Sequence, residues 1–476
     1  MRLILLLVLL SLYLALTLAI INLDSNITSQ EGYLASNGSI LRYKIWYNKD
    51  LASPRTVVFL FHGFGGSSEM MSWIAVELAR NGFLAVAYDT RGHGKSSGKL
   101  SYNTSVITGD YKALIEALNL TQANITLVGH SMGGAAVQLL VQEGFPVKNL
   151  IVVASQPRLN PSPVRSLLVL AKLDEIFNPS SLNLSSLIGW RIVILPCEDH
   201  LSVLYSPRAI QAILDYLTPY ENVNMSGLRL AVTLARSFTL LVLLSILPLY
   251  LTGSSIAPRP KGETRKVVLA ATLAASLAPL TYILFAKVTS APIAAYILSV
   301  LLLQALGSLV AVKPYREIII TTVRSLELQY VSKGLLMGLV IYLILYETLQ
   351  PFMNVSPSIS RVWLFLSMLV IITPTVFLFE MLGRPQLIGA SLLGSIAKSF
   401  ITRSLGFLAA WLVVSAIMPA GFAGYLLIVT FMSLILLLPI ESAATVWVYK
   451  GGSPWVNVVW ISLVLGLILS AVTPLV

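Results

Sequence analysis

The sequence predicts two fold classes in one chain: an α/β domain on a mainly parallel sheet, then an all-α polytopic transmembrane bundle. Three observations predict this. The 476 residues are 56% apolar and only 11% charged, against roughly 25% charged in an average soluble domain. Apolar stretches long enough to cross a ~30 Å hydrocarbon core recur after residue 227, whereas residues 23–226 alternate short β-branched runs with helical patterns. Charge divides the same way. Residues 23–226 hold 15 Lys+Arg against 15 Asp+Glu and the rest holds 17 against 6, so the whole net charge of +11 lies in the apolar part. Basic loops between spanning helices give that distribution, so nucleic acid is not an expected partner. Disorder is excluded by the apolar content. The single cysteine, Cys197, rules out an intrachain disulfide and a Cys-based metal site.

Residues 1–22 are assigned to an N-terminal transmembrane anchor. The uncharged run 3–22 behind Arg2 exceeds the apolar core of about 7–15 residues that marks a cleaved signal peptide, the rival reading. Residues 23–226 form the α/β domain. GSILRYKIWYN (38–48) is extended after a Ser-Asn-Gly turn. RTVVFLFHG (55–63) is a buried strand, SEMMSWIAVELARNG (68–82) a helix ended by Gly, and FLAVAYD (83–89) a strand. DYKALIEALN (110–119) is a helix, NITLVGH (124–130) a strand running into a helix from Ser131, and VKNLIVVAS (147–155) a strand. SLLVLAK (166–172) and WRIVILP (190–196) are further strands, and SPRAIQAILDYL (206–217) is a closing helix. Continuous apolar strands alternating with helices imply a sheet covered on both faces.

Residues 227–476 carry eight further spans, nine in all: about 231–252, 267–286, 291–312, 334–350, 362–382, 404–420, 422–449 and 455–475. Loops with Arg259, Lys261, Arg265 and Lys266, with Lys313, Arg316, Arg324 and Lys333, with Arg384, Lys398 and Arg403, and with Lys450 alternate with loops holding only Lys287 and Arg361. The positive-inside bias then puts the N-terminus in the cytoplasm and residues 23–226 outside the cell membrane. Segment 385–402 is an alternative candidate for an interfacial helix. The Asn-x-Ser/Thr sequons at Asn26, Asn37, Asn103, Asn119, Asn124, Asn183 and Asn224 lie in the α/β block and agree with that side. Pro248, Pro279, Pro374 and Pro439 are expected to kink helices. Glu347, Glu380 and Glu441 sit close to span ends, where water is in reach.

Gly129-His130-Ser131-Met132-Gly133 fits G-x-S-x-G between a strand and a helix, the context a nucleophile elbow requires. An ordinary serine in a Gly-rich turn is the competing reading. A serine nucleophile needs a base, and the chain has four histidines. His130 adjoins the serine and its side chain should diverge, while His62 and His93 precede the elbow; His200 follows the last strand, as the order Ser, acid, His demands. Asp174 ends the preceding strand and can hold the imidazole; Glu175 should point elsewhere, and Asp199 is too close to His200 in sequence. The amides of Met132 and of Phe64, in His62-Gly63-Phe64-Gly65-Gly66, are the expected oxyanion donors. A phosphate-binding loop is disfavoured, since neither G-x-x-x-x-G-K-[ST] nor a placed G-x-G-x-x-G occurs.

HGFGG (62–66), YDTRGHGKSSG (88–98), VGHSMGG (128–134), KLDEIF (172–177) and EDHLSVL (198–204) resemble the monoacylglycerol-lipase and serine-aminopeptidase-like branch of the α/β-hydrolases, over about residues 35–218. The resemblance implies an α/β-hydrolase fold, with Asp89–Gly94 shaping the floor of the pocket. It also implies a lid after the sixth strand. Only about eleven residues (155–165) are present there, so no large lid and an open site are expected. The expected function is that of a membrane-anchored, lipase-like serine esterase acting on a lipid or small hydrophobic ester, with no metal and no organic cofactor. An acyltransferase or peptidase using the same triad, or a transporter with a hydrolase-like sensor domain, is the alternative.

Overall fold

The apolar runs of the α/β block form one eight-stranded sheet in the computed structural model, in the order β1-β2-β4-β3-β5-β6-β7-β8. The structure describes residues 2–51, 56–121, 123–161, 163–219, 222–223, 225–248, 263–313 and 315–476. Arg259, Lys261 and the Asn224 sequon lie outside these residues. The chain divides into two compact units. One comprises Ala15–Ala235, Leu349–Ser358 and Val472–Val476; the other comprises Met1–Leu14, Arg236–Thr348 and Ile359–Ala471.

In the first unit, β1 (Ile27–Ser36) and β2 (Ser39–Asn48) are an antiparallel hairpin. Its two-residue turn is Asn37-Gly38, with φ of 42° and 74°, the left-handed pair that matches strand twist. β1 was not among the expected strands, because ITSQEGYLAS has little apolar alternation; pairing with β2 organises it. β2 runs antiparallel to β4 (Leu84–Tyr88), and from there every pairing is parallel, through β3 (Val57–Phe61), β5 (Ile125–His130), β6 (Asn149–Val153), β7 (Arg165–Ala171) and β8 (Trp190–Leu195). β3 is buried throughout. Val58 and Leu60 enter a core with α2 (Ser72–Arg80) and α5 (Pro207–Leu217), and Val57, Phe59 and Phe61 enter the opposite core with α3 (Thr104–Ala117) and α4 (Met132–Gln142). This two-sided burial explains why the parallel strands read as continuous apolar runs. α3 begins six residues before its expected start because Asn103 accepts from the Ser105 amide at 2.9 Å and caps it. Only the connection 154–164 separates β6 from β7, and no lid is inserted there.

Long apolar helices dominate the rest. α1 is Arg2–Leu23, α6 Gly227–Ile246, α7 Thr264–Ala275, α8 Ala278–Thr289, α9 Pro292–Ala311, α10 Tyr315–Arg324, α11 Leu328–Leu349 and α12 Val362–Leu378. A π-helical turn, Phe379–Gly383, leads into α13 (Arg384–Leu387), followed by α14 (Leu392–Ile417), α15 (Ala420–Tyr449) and α16 (Pro454–Val472). Among the described residues, eight helices are long and apolar enough to cross a membrane. The number is nine if α7 and α8, bent by 50°, count as one span. Pro279 opens α8 at that bend, Pro374 and Pro439 lie inside α12 and α15, and Pro248 falls beyond α6. Segment 385–402 is not a helix of its own: its second half belongs to the 26-residue α14, which Ser391 caps.

The largest departure from expectation concerns charge. Arg384 and Arg403 are not loop residues, and Glu380 and Glu441 do not reach water; all four are buried in the second unit. Arg384 grips Glu380 with two bonds of 2.6 Å and meets Glu441 at 2.9 Å, while Arg403 Nε donates to Glu441 at 3.1 Å. Thr445 and Ser399 accept from Arg384, Gln304 accepts from Arg403, and Asn457 donates to Glu380. Two cations and two anions cancel, which is the condition for burying charge at tolerable cost. The π-turn carrying Glu380 places it four residues before Arg384. Glu347 alone behaves as expected, half-exposed beside Arg236. Replacing Arg384 by Ala leaves two carboxylates short of a partner and is expected to cost roughly 3–5 kcal/mol. Thermal unfolding in detergent measures it, and an unchanged midpoint refutes the assignment.

Candidate active site

Every site residue singled out in the first unit lies at the carboxyl end of a parallel strand, the edge at which α/β sheets hold their ligands. β5 delivers Ser131. Its backbone has φ 54° and ψ −117°, a conformation costing about 1–3 kcal/mol for a non-glycine residue. The close approach of β5, β3 and α4 maintains it. A Cβ on Gly129 would stand 2.3 Å from the Gly133 oxygen, and one on Gly133 would stand 2.2 Å from the Phe61 oxygen. The Ser131 amide donates to Val153 O on the neighbouring strand at 3.0 Å. The serine is half-buried.

Ser131 Oγ lies 3.0 Å from His200 Nε2, and His200 Nδ1 lies 2.9 Å from Asp174 Oδ2. A carboxylate only accepts, so Nδ1 carries the proton and Nε2 turns a lone pair toward the hydroxyl. Asp174 Oδ1 accepts from the amides of Ile176 (2.8 Å) and Phe177 (2.7 Å). Burial alone would raise the Asp174 carboxyl. The bond and charge of His200 and those two amides outweigh it and hold the group below its ordinary value. The turns after β7 and β8 are tied together, with Lys172 N donating to Leu195 O and Leu173 N to Glu198 O, both at 2.9 Å. The expected residues Ser131, His200 and Asp174 therefore meet, although 43 and 26 positions separate them along the chain.

Two neighbours act where none was expected. His130 does diverge from Ser131, but its Nε2 lies 2.9 Å from the carbonyl of His200 and supports the turn carrying that ring. Burial, with His200 alongside, brings the His130 pKa down to about 3. Glu175 does not point away: its Oε2 accepts from the His200 amide at 3.3 Å, and burial raises its carboxyl. No sequence signal links residues so far apart. Asp199 caps its own turn through the Leu201 and Ser202 amides. Cys197, exposed, sits in the same turn between β8 and His200.

The Phe64 turn follows β3, with Gly66 N donating to Gly63 O. His62 fixes it from behind. Thr90 N donates to His62 Nε2 at 3.0 Å, so Nδ1 carries the proton and donates to Gly63 O at 2.7 Å. Burial pushes the His62 pKa below its ordinary value. Met132 opens α4, whose first amides have no partner within the helix. Asp89 accepts from the amides of Ser68 (2.7 Å) and Lys95 (2.9 Å) and faces Arg42. It braces the floor loop and stands apart from the Ser131–His200–Asp174 chain. Among the described residues, no group of His, Cys, Asp and Glu could hold a metal ion.

Among known families, the one described as "Serine aminopeptidase, S33" matches residues 52–190. The monoacylglycerol lipase of Mycolicibacterium smegmatis is 29% identical over 140 residues, covering 29% of this chain and 49% of the relative. The sn-1-specific diacylglycerol lipase ABHD11 of Danio rerio is 31% identical over 188 residues, covering 39% and 55%. Residues from about 50 to 200 are an α/β-hydrolase. A helical region with several long apolar helices follows this hydrolase, and the two relatives named above are lipases. The chain spans about half the length of the curated relatives it matches. Among solved structures, a predicted CIB-like hydrolase from Thermoplasma acidophilum aligns with a TM-score of 0.36 and 20% identity, covering 40% of this chain and 99% of that one.

Two outcomes follow from the geometry of the hydrolase. Gly133→Ala drives a methyl into the Phe61 carbonyl and is expected to destabilise the protein by about 1–3 kcal/mol, or to open the elbow; wild-type thermal stability with wild-type reactivity at Ser131 would contradict this. His130 and His62 are held neutral, so the unfolded chain takes up more protons below pH 6.5. The stability they contribute is complete above that value and is lost as pH falls, for His130 through about 3. His130→Gln should flatten the pH dependence of unfolding in this window, and an unaltered slope argues against a neutral buried ring.

Proposed function

We propose that residues 23–226 are a serine hydrolase anchored in the cell membrane by α1 and the helices after residue 227, cleaving lipid or other hydrophobic esters. The observation that carries this reading is the hydrogen-bonded chain Asp174–His200–Ser131 on a strained elbow. Ser131 Oγ attacks the acyl carbon while His200 Nε2 takes its proton, and Asp174 stabilises the imidazolium. The Met132 and Phe64 amides hold the oxyanion, each worth roughly 3–4 kcal/mol in the transition state. The tetrahedral intermediate collapses, the ester oxygen leaves with the proton from His200, and an acyl group remains on Ser131. Water attacks that acyl group with His200 as base, releasing the acid and restoring the hydroxyl. The lipase names of the relatives and the apolar helices support a lipid ester as the substrate. The sequons and basic loops support an extracytoplasmic hydrolase.

A peptidase reading is favoured by the description of the matching family, and the same chain of groups serves an amide. Purified full-length protein separates the two when offered monoacylglycerols and aminoacyl p-nitroanilides; turnover of the anilides alone overturns the ester reading. A fluorophosphonate probe is expected to label wild type and not Ser131→Ala. Ester turnover should fall about 10⁴-fold or more in Ser131→Ala and His200→Ala, and about 10⁴-fold in Asp174→Asn. Turnover that survives Ser131→Ala defeats the proposal.

A further inference from the structure

Leu349–Ser358, which follows α11, belongs to the same compact unit as the sheet. It touches both turns that carry the proposed machinery. On the turn with Phe64, Asn354 N donates to the buried Ser67 Oγ at 3.2 Å. Trp73, which follows that turn at the start of α2, donates from Nε1 to Pro351 O at 3.0 Å. Phe352 stacks on Trp73, with centroids 5.6 Å apart and planes at 25°. The same Phe352 ring meets Tyr205 edge to face at 5.6 Å, and Tyr205 Oη lies 3.4 Å from Phe352 O. Tyr205 closes the 3-10 turn Ser202–Leu204, five residues after His200. The segment is braced internally: Asn354 Oδ1 accepts from Ser356 N, its Nδ2 donates to Ser356 O, and Val355 N donates to Gln350 Oε1. Asn354 and Val355 are buried.

The turn after β3 contains Gly63, Gly65 and Gly66, residues that carry the largest conformational entropy. An oxyanion donor must nevertheless stand 2.7–3.1 Å from the developing charge, and a 1 Å misplacement can cost on the order of 100-fold in rate. A glycine turn and a single 3-10 turn are weak holders for such tolerances. We infer that Leu349–Ser358 is a strap that positions the hydrolase site, with Phe352 the positioning residue joining the turn of Phe64 to the turn of His200. The inference rests on Ser131 being the nucleophile. It goes further by giving a segment remote in sequence, which touches neither reacting atom, a part in the rate.

The test uses the full chain in detergent, a short-chain p-nitrophenyl ester, and end-point fluorophosphonate titration of Ser131, so that kcat is expressed per folded site. Phe352→Ala is expected to lower kcat at least tenfold with KM within twofold of wild type, and Phe352→Tyr, which keeps the stack, to restore at least half of it. Ser67→Ala, which removes the acceptor of Asn354 N, should lower kcat severalfold with KM held; it carries the test if Phe352→Ala does not fold. Wild-type kcat per titrated site in Phe352→Ala, or in Ser67→Ala where that variant carries the test, overturns the strap. So does a rise in KM with kcat unchanged, which is the signature of a substrate contact. A wild-type chain without Ser131-dependent turnover removes the serine-hydrolase reading itself. Turnover with an indifferent Phe352 removes the strap alone.

Discussion

The reversal of the chain from β5 into α4 through one residue constrains everything at the carboxyl edge. Ser131 can stand at φ 54° only because Gly129 and Gly133 let two backbones approach within the space a methyl group would fill. That approach sets α4 against β3, and so sets the distance between the Met132 amide and the turn after β3. It also fixes the direction of the hydroxyl, to which the turns after β7 and β8 must bring Asp174 and His200. The sheet supplies the rigidity, since β3 and β5 are buried on both faces.

Electrostatics at this edge follows one plan, in which charge is kept only where it is matched. Arg42, almost wholly buried, is met by Glu69, Asp89 and Glu31. His62 and His130 are buried without an adjacent carboxylate bond, and burial keeps them neutral. Asp174 remains ionised because His200 and two amides compensate for its lost hydration. The helical unit repeats the plan at lower polarity, in the balanced cluster of Glu380, Arg384, Arg403 and Glu441. An unmatched charge in either setting costs several kcal/mol.

How much was legible in the sequence depended on how local each signal was. The parallel strands declared themselves through unbroken apolar runs, and the elbow through its glycines. Ser131, His200 and Asp174 stand out as candidates because the chain has only four histidines and chain order sets two of them aside. β1 was hidden, since a polar edge strand owes its conformation to its partner. Arg384 and Arg403 read as loop residues in the sequence because a charged residue between apolar windows looks like a loop until its partner, on another helix, is known. The contacts of His130, Glu175 and Phe352 bridge 70, 25 and 147 or more positions, and no periodicity encodes them.

Cys197 is solvent-accessible and stands three positions before the imidazole it could watch. A maleimide dye or nitroxide attached there reports on that turn in the unaltered polypeptide, with no second sulfhydryl to block. Motion of that turn thereby becomes a spectroscopic quantity, and the natural chain arrives already equipped with its reporter.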